Sequence, residues 1–526
     1  MCILLTICYV FLLCIQGGYY PQTYIVVGSI CGICCLVRAK KIRVSYELMT
    51  IALITMSYVV SCVVTGISYS SIGSALLPVV MLIISIIYGN MPKEKKCKLM
   101  AYISLIGIIS SVIAVAMYIG ILDIPGTVYG RRLLFTFQYA NAGGVWFGIS
   151  FLLGIFSDNK YIKMLSVFSF AALLMTGSVG ATLIMIILLV IHAVRSGTVS
   201  NINKKTKVMI IAGGGLGLVL AAMLVAWRYV EALYTFAERF IQSYDGVRTI
   251  ATHVLAGIGP GNWAYEFPLY QSAQYTAGVV HNYYVQSGVD AGITALAGMI
   301  LLFVLTIRQY KKYKGLPQLA ALYIMLHSFL DYELAFASVY MLLIFGIMYE
   351  PSYYANYKKG VLEIKPVIIR TVSACVVILC IIGMVGVIKT RNLQNEADSG
   401  DLSKAVAIFE DNRILMEKGY KECEIIGVEA CKTGNYEYVP ETKSARLRMY
   451  EVISKESRMD EITDLLNSQP YNRRVIANTR EMLTQYSYSD EDKERYRECL
   501  SKINESLDKW PANMLNNQVK YHVAEE

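Results

Sequence analysis

Long apolar runs recur along the first three quarters of the chain, near residues 3–16, 22–37, 46–66, 72–89, 99–120, 135–156, 161–177, 179–194, 208–227, 281–307, 317–332, 335–350 and 367–388. Each approaches the ~20 residues a helix needs to cross the hydrocarbon core of a bilayer. The pattern predicts an all-α, polytopic membrane protein of about 12–13 transmembrane helices. The short polar stretches between runs carry a second pattern. Lys and Arg follow the second run (Arg38, Lys40, Lys41, Arg43), the fourth (Lys93, Lys95, Lys96, Lys98) and the sixth (Lys160, Lys163). They return after the eighth (Arg195, Lys204, Lys205, Lys207), tenth (Arg308, Lys311, Lys312, Lys314) and twelfth (Lys358, Lys359, Lys365). Basic loops stay on the cytoplasmic side of a membrane. This predicts a cytoplasmic N-terminus, with the stretch 228–280 on the external face. If the last run spans, the polar C-terminal tail is external too.

Composition agrees with this reading. The 526 residues are 55% hydrophobic and 17% charged, against about 25% charged in a soluble domain, and the mean hydropathy is +0.47. An ordinary cytosolic enzyme and a disordered chain are both excluded. Residues 1–390 hold 28 Lys and Arg against 13 Asp and Glu, and residues 391–526 hold 20 against 26. A basic apolar body therefore carries an acidic polar tail. The basic charge sits in short inter-helix loops, so it gives no reason to expect a nucleic-acid partner. The chain divides into N-terminal helices over 1–227, a large external loop over 228–280, further helices over 281–350, a cytoplasmic linker with an extra transmembrane helix over 351–390, and a helical accessory domain over 391–526. Within that last part, Glu396–Ala405 with Ile408 and Phe409 looks like one helical hairpin of tetratricopeptide (TPR) type, without a repeating period. Cys31, Cys34 and Cys35 fall inside an apolar run and read as small buried hydrophobes. Cys423, Cys431 and Cys499 could include one disulfide if the tail is external. Met1 opens an apolar run without the basic start of a cleavable signal peptide. The glycines over 213–217 suit close helix packing.

The chemistry-bearing residues gather in the external segments. Arg131 and Arg132 stand on the outer side against the charge bias. The loop contains Arg248 and then Gly257-Ile-Gly259-Pro-Gly261-Asn262, and His281-Asn282-Tyr283-Tyr284-Val285-Gln286 opens the next run. The glycine pattern alone indicates a tight turn, because no strand–turn–helix unit surrounds it to make a dinucleotide site. Asp290 falls about 13 Å into its helix at 1.5 Å per residue, where an acid needs a partner, Arg or Tyr, or a function. His253 and His327 read as structural. Asp331 and Glu333 fall at the outer rim, where water could reach them. No carboxylate or thiolate cluster suggests a metal.

The order of these motifs resembles the shared domain of the bacterial O-antigen ligase and O-antigen polymerase (Wzy-type) superfamily. The resemblance covers about residues 1–350. Arg248 matches the family's external-loop arginine, Gly257–Asn262 its glycine turn, and His281-Asn282-x-Tyr284-x-Gln286 with Asp290-x-Gly292 its next motif. Arg131 through Asn141 is similar to an upstream arginine-to-asparagine segment, and His327-Ser-Phe-Leu-Asp331 to a downstream one. The usual Gly after the arginine and the usual Pro before Asn141 are absent. The resemblance implies a metal-independent, inverting glycosyltransferase of the bacterial plasma (inner) membrane, with no cofactor. It would move a glycan from a polyprenyl (undecaprenyl) pyrophosphate donor to a glycan, lipid or protein hydroxyl in surface polysaccharide assembly, such as lipopolysaccharide or capsule. His281 and Arg248 are then the catalytic candidates, and Arg131, Arg132, Asn141, Asn282 and Tyr284 the substrate-binding ones. Arginine forks suit a diphosphate, and an imidazole near neutral pKa suits an acceptor proton. The tail would offer a surface to an acceptor or to other assembly proteins. Two other classes remain open: a secondary transporter, which should show paired midplane charges and a repeated half, and a membrane-anchored sensor working through its tail.

Overall fold

The computed structural model describes residues 1–195, 229–351, 355–356, 360–433, 459–485 and 487–507. Helices dominate, and every apolar run within these residues forms one. The run at 208–227, its glycines included, lies outside the described residues. In chain order the helices are α1 (Cys2–Cys14), α2 (Pro21–Val37), α3 (Tyr46–Thr65), α4 (Tyr69–Gly89), α5 (Lys93–Tyr118), α6 (Ala140–Ile155), α7 (Lys160–Thr176) and α8 (Val179–Arg195). Then come α9 (Tyr229–Thr252), α10 (Trp263–Tyr270), α11 (Tyr283–Tyr313), α12 (Leu316–His327), α13 (Ala337–Ile347) and α14 (Pro366–Asp398). Among the described residues, α3, α4, α5, α11 and α14 are long and apolar enough to cross a membrane, and α1, α2, α6, α8, α12 and α13 are shorter apolar helices. Among the described residues, strands occur only as two-residue ladders, including Ile42–Arg43 with Glu363–Ile364 and Val128–Tyr129 with Arg132–Leu133.

The connections sort to two ends of the bundle. At one end the basic segments meet: Ile42 pairs with Ile364, the Lys93 ammonium lies 2.7 Å from Glu350, and the Gln309 amide donates to Glu47 at 2.7 Å. There too the Lys96 ammonium is buried against the carbonyls of Gly89, Met348 and Tyr349, the open C-terminal ends of two helices. At the other end, Thr136 donates to the Leu13 carbonyl, Arg132 to that of Thr176, and Arg239 to that of Leu330. Between the ends, Trp146, Tyr9, Tyr88, Tyr323 and Phe345 are fully buried in one continuous apolar core. The Trp146 indole N–H is satisfied by Ser110 Oγ at 2.9 Å, as a buried donor must be.

The stretch expected as a large loop, 228–280, is largely helical. In α9 Ala237, Ile241 and Ile250 are buried while Glu238, Arg239 and Arg248 lie between them, so an amphipathic helix hides in a segment too polar to read as a span. The glycine turn after it locks into a break in α11. The chain there departs from helical geometry at Ala291 and Gly292 (φ +77°). The freed groups bond to the turn: Ile258 N–H donates to the Val289 carbonyl at 2.8 Å, and Ile293 N–H to that of Val254 at 2.8 Å. Ser61 Oγ, from α3, donates to the carbonyls of both Ala256 and Asp290. Asp290, expected to meet an Arg or Tyr or to have a function, accepts from the Tyr58 hydroxyl at 3.3 Å, the Gln286 amide at 2.8 Å and the Gly261 N–H at 3.3 Å.

The tail grows directly out of α14, which runs unbroken to Asp398, so the domain boundary placed at 390 falls inside a helix. After it, α15 (Leu402–Asp411), α16 (Arg413–Met416) and α17 (Tyr420–Thr433) bury Ala405, Phe409, Met416 and Ile426 against Leu393. Glu422, fully buried, accepts from Thr390 Oγ1 at 2.8 Å and Ser70 Oγ at 2.9 Å, which ties α17 to α4 and α14. A second cluster forms from α18 (Met459–Ser468), α19 (Arg473–Gln485) and α20 (Asp490–Leu507). Cys423 and Cys499 are buried free thiols, and the side chain of Cys431 lies outside the description.

A methyl group on Gly257 would stand 2.2 Å from the Val289 carbonyl oxygen, in a residue already at φ +65°. Gly120 has a similar φ of +79° with nothing within 4 Å. Gly120→Ala should therefore cost only left-handed strain, about 1 kcal/mol. Gly257→Ala should cost several times more, or prevent folding. Thermal unfolding of both variants in detergent, followed by tryptophan fluorescence, checks this; equal losses would contradict the docked turn.

Candidate functional site

At the end of the bundle opposite the basic loops lies a cavity of about 840 Å³, enclosed by α8, α9, the start of α11 and the segments 132–141 and 327–330. One face of α9 supplies Phe236, Arg239, Phe240, Ser243, Tyr244 and Val247 at helical spacing, and α8 supplies Val179, Gly180 and Leu183. Most of the wall is apolar. Its guanidinium, imidazole and amide side chains are Arg132, Asn141, Arg239, His281, Asn282 and His327, with several hydroxyls beside them and no carboxylate among the described lining residues.

Asp331 sits behind that polar wall. Its side chain is fully buried and lies 3.3 Å from the Arg239 guanidinium. The Tyr139 hydroxyl reaches both carboxylate oxygens at 2.8 Å, and the Asn141 amide donates to Oδ2. Asn141 in turn accepts from Arg132 Nη2 at 3.2 Å, while Arg132 Nε donates to the Thr176 carbonyl at 2.9 Å. One carboxylate thus orients two arginines, one directly and one through an amide. Burial would raise the Asp331 carboxyl; the Arg239 guanidinium, then His281 and His327, override it and hold it below its ordinary 3.8. Arg239 is itself raised despite burial, chiefly by Asp331. Beside this pair, the His327 ring is 3.0 Å from a Glu333 carboxylate, both side chains buried. Asp331 and Glu333 are therefore not wet rim residues: the segment between α12 and α13 folds inward and caps α11, with Tyr283 N–H donating to the carbonyls of Ser328 and Asp331.

His281 is half-buried on the cavity wall. Its ring meets the Tyr332 ring edge-on at 5.1 Å, and its Nδ1 lies 2.7 Å from Gln242 Oε1. Burial lowers its pKa from 6.5; Asp331 opposes the fall and Arg239 adds to it. The ring is neutral at neutral pH and free to accept a proton.

The residues expected at a site distribute unevenly. His281, Asn282, Arg132 and Asn141 converge on the cavity. Asn282 is also the N-cap of α11, accepting from Tyr284 and Val285 N–H. Arg131 is exposed in the turn of a two-residue hairpin whose Gly130 takes φ +57°. Arg248, one turn beyond the lining face of α9, has a side chain 59% exposed, 3.7 Å from Asp245 and over the Tyr244 ring. Tyr284 does not line the cavity: it is 2% exposed, stacked on Phe329 at 4.0 Å, with its hydroxyl given to the Met325 carbonyl. His253 lies outside the cavity and bonds within its own helix turn.

The arginine that occupies the site, Arg239, was not singled out in the sequence. The available signal was amphipathic: positions 236, 240, 244 and 247 form the apolar face of a helix, and 239 shares that face while 248 flanks it. Tyr139 and Gln242 carry no local signature, because their partners are 192 and 39 residues away in the chain.

No protein-family model matches the chain, and no curated protein matches it. Among the described residues no group of His, Cys, Asp or Glu is placed to hold a metal ion.

Asp331→Asn keeps the shape but leaves the Arg239 charge unbalanced. At pH 6–7 it should cost about 2–4 kcal/mol, less than for a fully enclosed pair because Arg239 borders the cavity. The contribution of a carboxyl with a lowered folded-state pKa is present above its unfolded value and fades as pH falls through the folded one. The stability gap between wild type and Asp331→Asn should therefore narrow below about pH 4, as read by denaturation in detergent across pH 3–7. A gap independent of pH would contradict the ion pair.

Proposed function

We propose that the protein is a polytopic glycosyltransferase of the O-antigen ligase/polymerase type in the bacterial plasma membrane, with its N-terminus cytoplasmic and the cavity at the external face. The reading is carried by one observation: a largely apolar cavity whose polar wall includes two arginines, two imidazoles and two amides, at the end opposite the basic loops. An isoprenoid suits the apolar lining, and a diphosphate suits the arginine forks. The donor is then a glycan linked to polyprenyl (undecaprenyl) pyrophosphate. Arg239 and Arg132 grip the diphosphate, and Arg239 takes the role that the sequence pattern gave Arg248. His281 receives the proton of the acceptor hydroxyl as its oxygen bonds to the anomeric carbon. The bond from that carbon to the diphosphate breaks on the opposite face, inverting the configuration. The two arginines neutralise the departing pyrophosphate, so no metal is required. The tail offers a surface to a glycan, lipid or protein acceptor, or to other polysaccharide-assembly proteins.

The test is transfer by purified protein in nanodiscs, with a lipid-pyrophosphate-linked glycan. His281→Ala should lower kcat at least about 100-fold. Arg239→Ala should lower kcat/KM for the donor by about 10–1000-fold, and Arg248→Ala by less than about 3-fold, since its charge is exposed. Activity of Arg239→Ala near wild type would refute the assignment. Because the neutral imidazole is the active form and burial lowers its pKa, the acid limb of kcat should lie below pH 6.5. In cells, loss of activity that leaves single lipid-linked repeats indicates a polymerase, and loss that leaves long lipid-linked chains indicates a ligase.

A further inference from the structure

Gln242 lies on α9, four residues beyond Glu238, and is 1% exposed. Its carboxamide oxygen meets two donors from one residue, the His281 main-chain N–H at 3.3 Å and the ring Nδ1 at 2.7 Å. Its amide nitrogen donates to Glu238 Oε1 at 3.0 Å. These contacts fix which way the amide points. Turned over, it would set an NH₂ against a main-chain N–H and an oxygen against a carboxylate. A carbonyl oxygen only accepts, so Nδ1 must carry the proton, and the lone pair of the neutral ring is on Nε2.

Other elements around the ring carry charge. Asp331, from the segment after α12, favours the imidazolium, and Arg239, from α9, opposes it. Those two are paired with each other, so their effects on the ring partly cancel. Tyr332 presents a neutral ring edge, and Arg132 and His327 share the cavity wall. A carboxylate in place of Gln242 would hold the ring protonated to higher pH. A neutral amide orients it without charging it.

We propose that Gln242, held in orientation by Glu238, is a positioning residue that keeps His281 in the Nδ1-protonated tautomer, leaving Nε2 as the proton acceptor; the second half rests on the reading of His281 as the base. The protein has five histidines, so ¹⁵N-histidine NMR of the full chain in nanodiscs, with His281→Ala to assign the resonance, reads the tautomer directly. The wild type should show His281 protonated on Nδ1. Gln242→Glu should raise its titration midpoint by at least about one pH unit and move the acid limb of kcat the same way, with donor KM unchanged. Gln242→Leu should mix the tautomers and lower kcat about 10–100-fold, and Gln242→Glu should recover most of that loss above its shifted midpoint. An Nε2-protonated wild-type ring, or His281 resonances unmoved in both variants, would overturn the proposal. The NMR readout needs no turnover: resonances that shift as expected while His281→Ala still transfers glycan would sink the base role and uphold control of the tautomer.

Discussion

Both arginines on the cavity wall are referred to one buried carboxylate. Asp331 accepts from Tyr139 and Asn141 and faces Arg239 at 3.3 Å, while Asn141 passes the constraint on to Arg132. An unpaired carboxylate at this depth would be expensive to bury. The three side chains that satisfy it come from the start of α6 and from α9, and Asn141 extends the link to the β-hairpin that carries Arg132. With Asp331 behind them, bonded to Arg239 directly and to Arg132 through Asn141, both guanidiniums are presented on the cavity wall, and such a positive wall suits an anion. In the proposed reaction that anion is the diphosphate.

A second constraint sets where α9 and His281 stand. Helix α11 is interrupted at Ala291–Gly292, and the backbone groups released there are taken up by the glycine turn that follows α9. Only glycine allows main chain to approach main chain this closely: any Cβ at Gly257 or Gly292 would overlap a carbonyl oxygen. The turn thereby clamps the segment after α9 to the break in α11, which lies ten residues beyond His281 in sequence. The first turn of α11 begins next to His281, so the break holds the imidazole and Arg239 on elements that cannot slide past each other. The glycine motif serves architecture, and chemistry only through it.

The amphipathic character of α9 explains how a polar segment builds an apolar cavity. Ile241 and Ile250 face inward against α11, while Phe236, Phe240, Tyr244 and Val247 line the opening. Several of these are more than 40% exposed, an apolar surface that water disfavours and that a lipid chain or the membrane interface would cover.

The sequence by itself determined the helical fold, its alternation between two ends and the positions of His281, Arg132, Asn141 and Asn282, because apolar length, loop charge and local motifs are properties of neighbouring residues. It also marked Asp290 as an acid in need of an Arg or Tyr partner or of a function, and Tyr58 is one of the groups that meet it. That Arg239 and not Arg248 lines the cavity was decided only in three dimensions. So were the burial of Asp331 and Glu333, the burial of Tyr284 behind the wall and the grip of Gln242 on His281. The physical reason is the same in each case. Which face of α9 turns inward depends on its rotation against α11, set by the docked glycine turn. A carboxylate's environment depends likewise on partners 90 to 190 residues away, which no local pattern encodes.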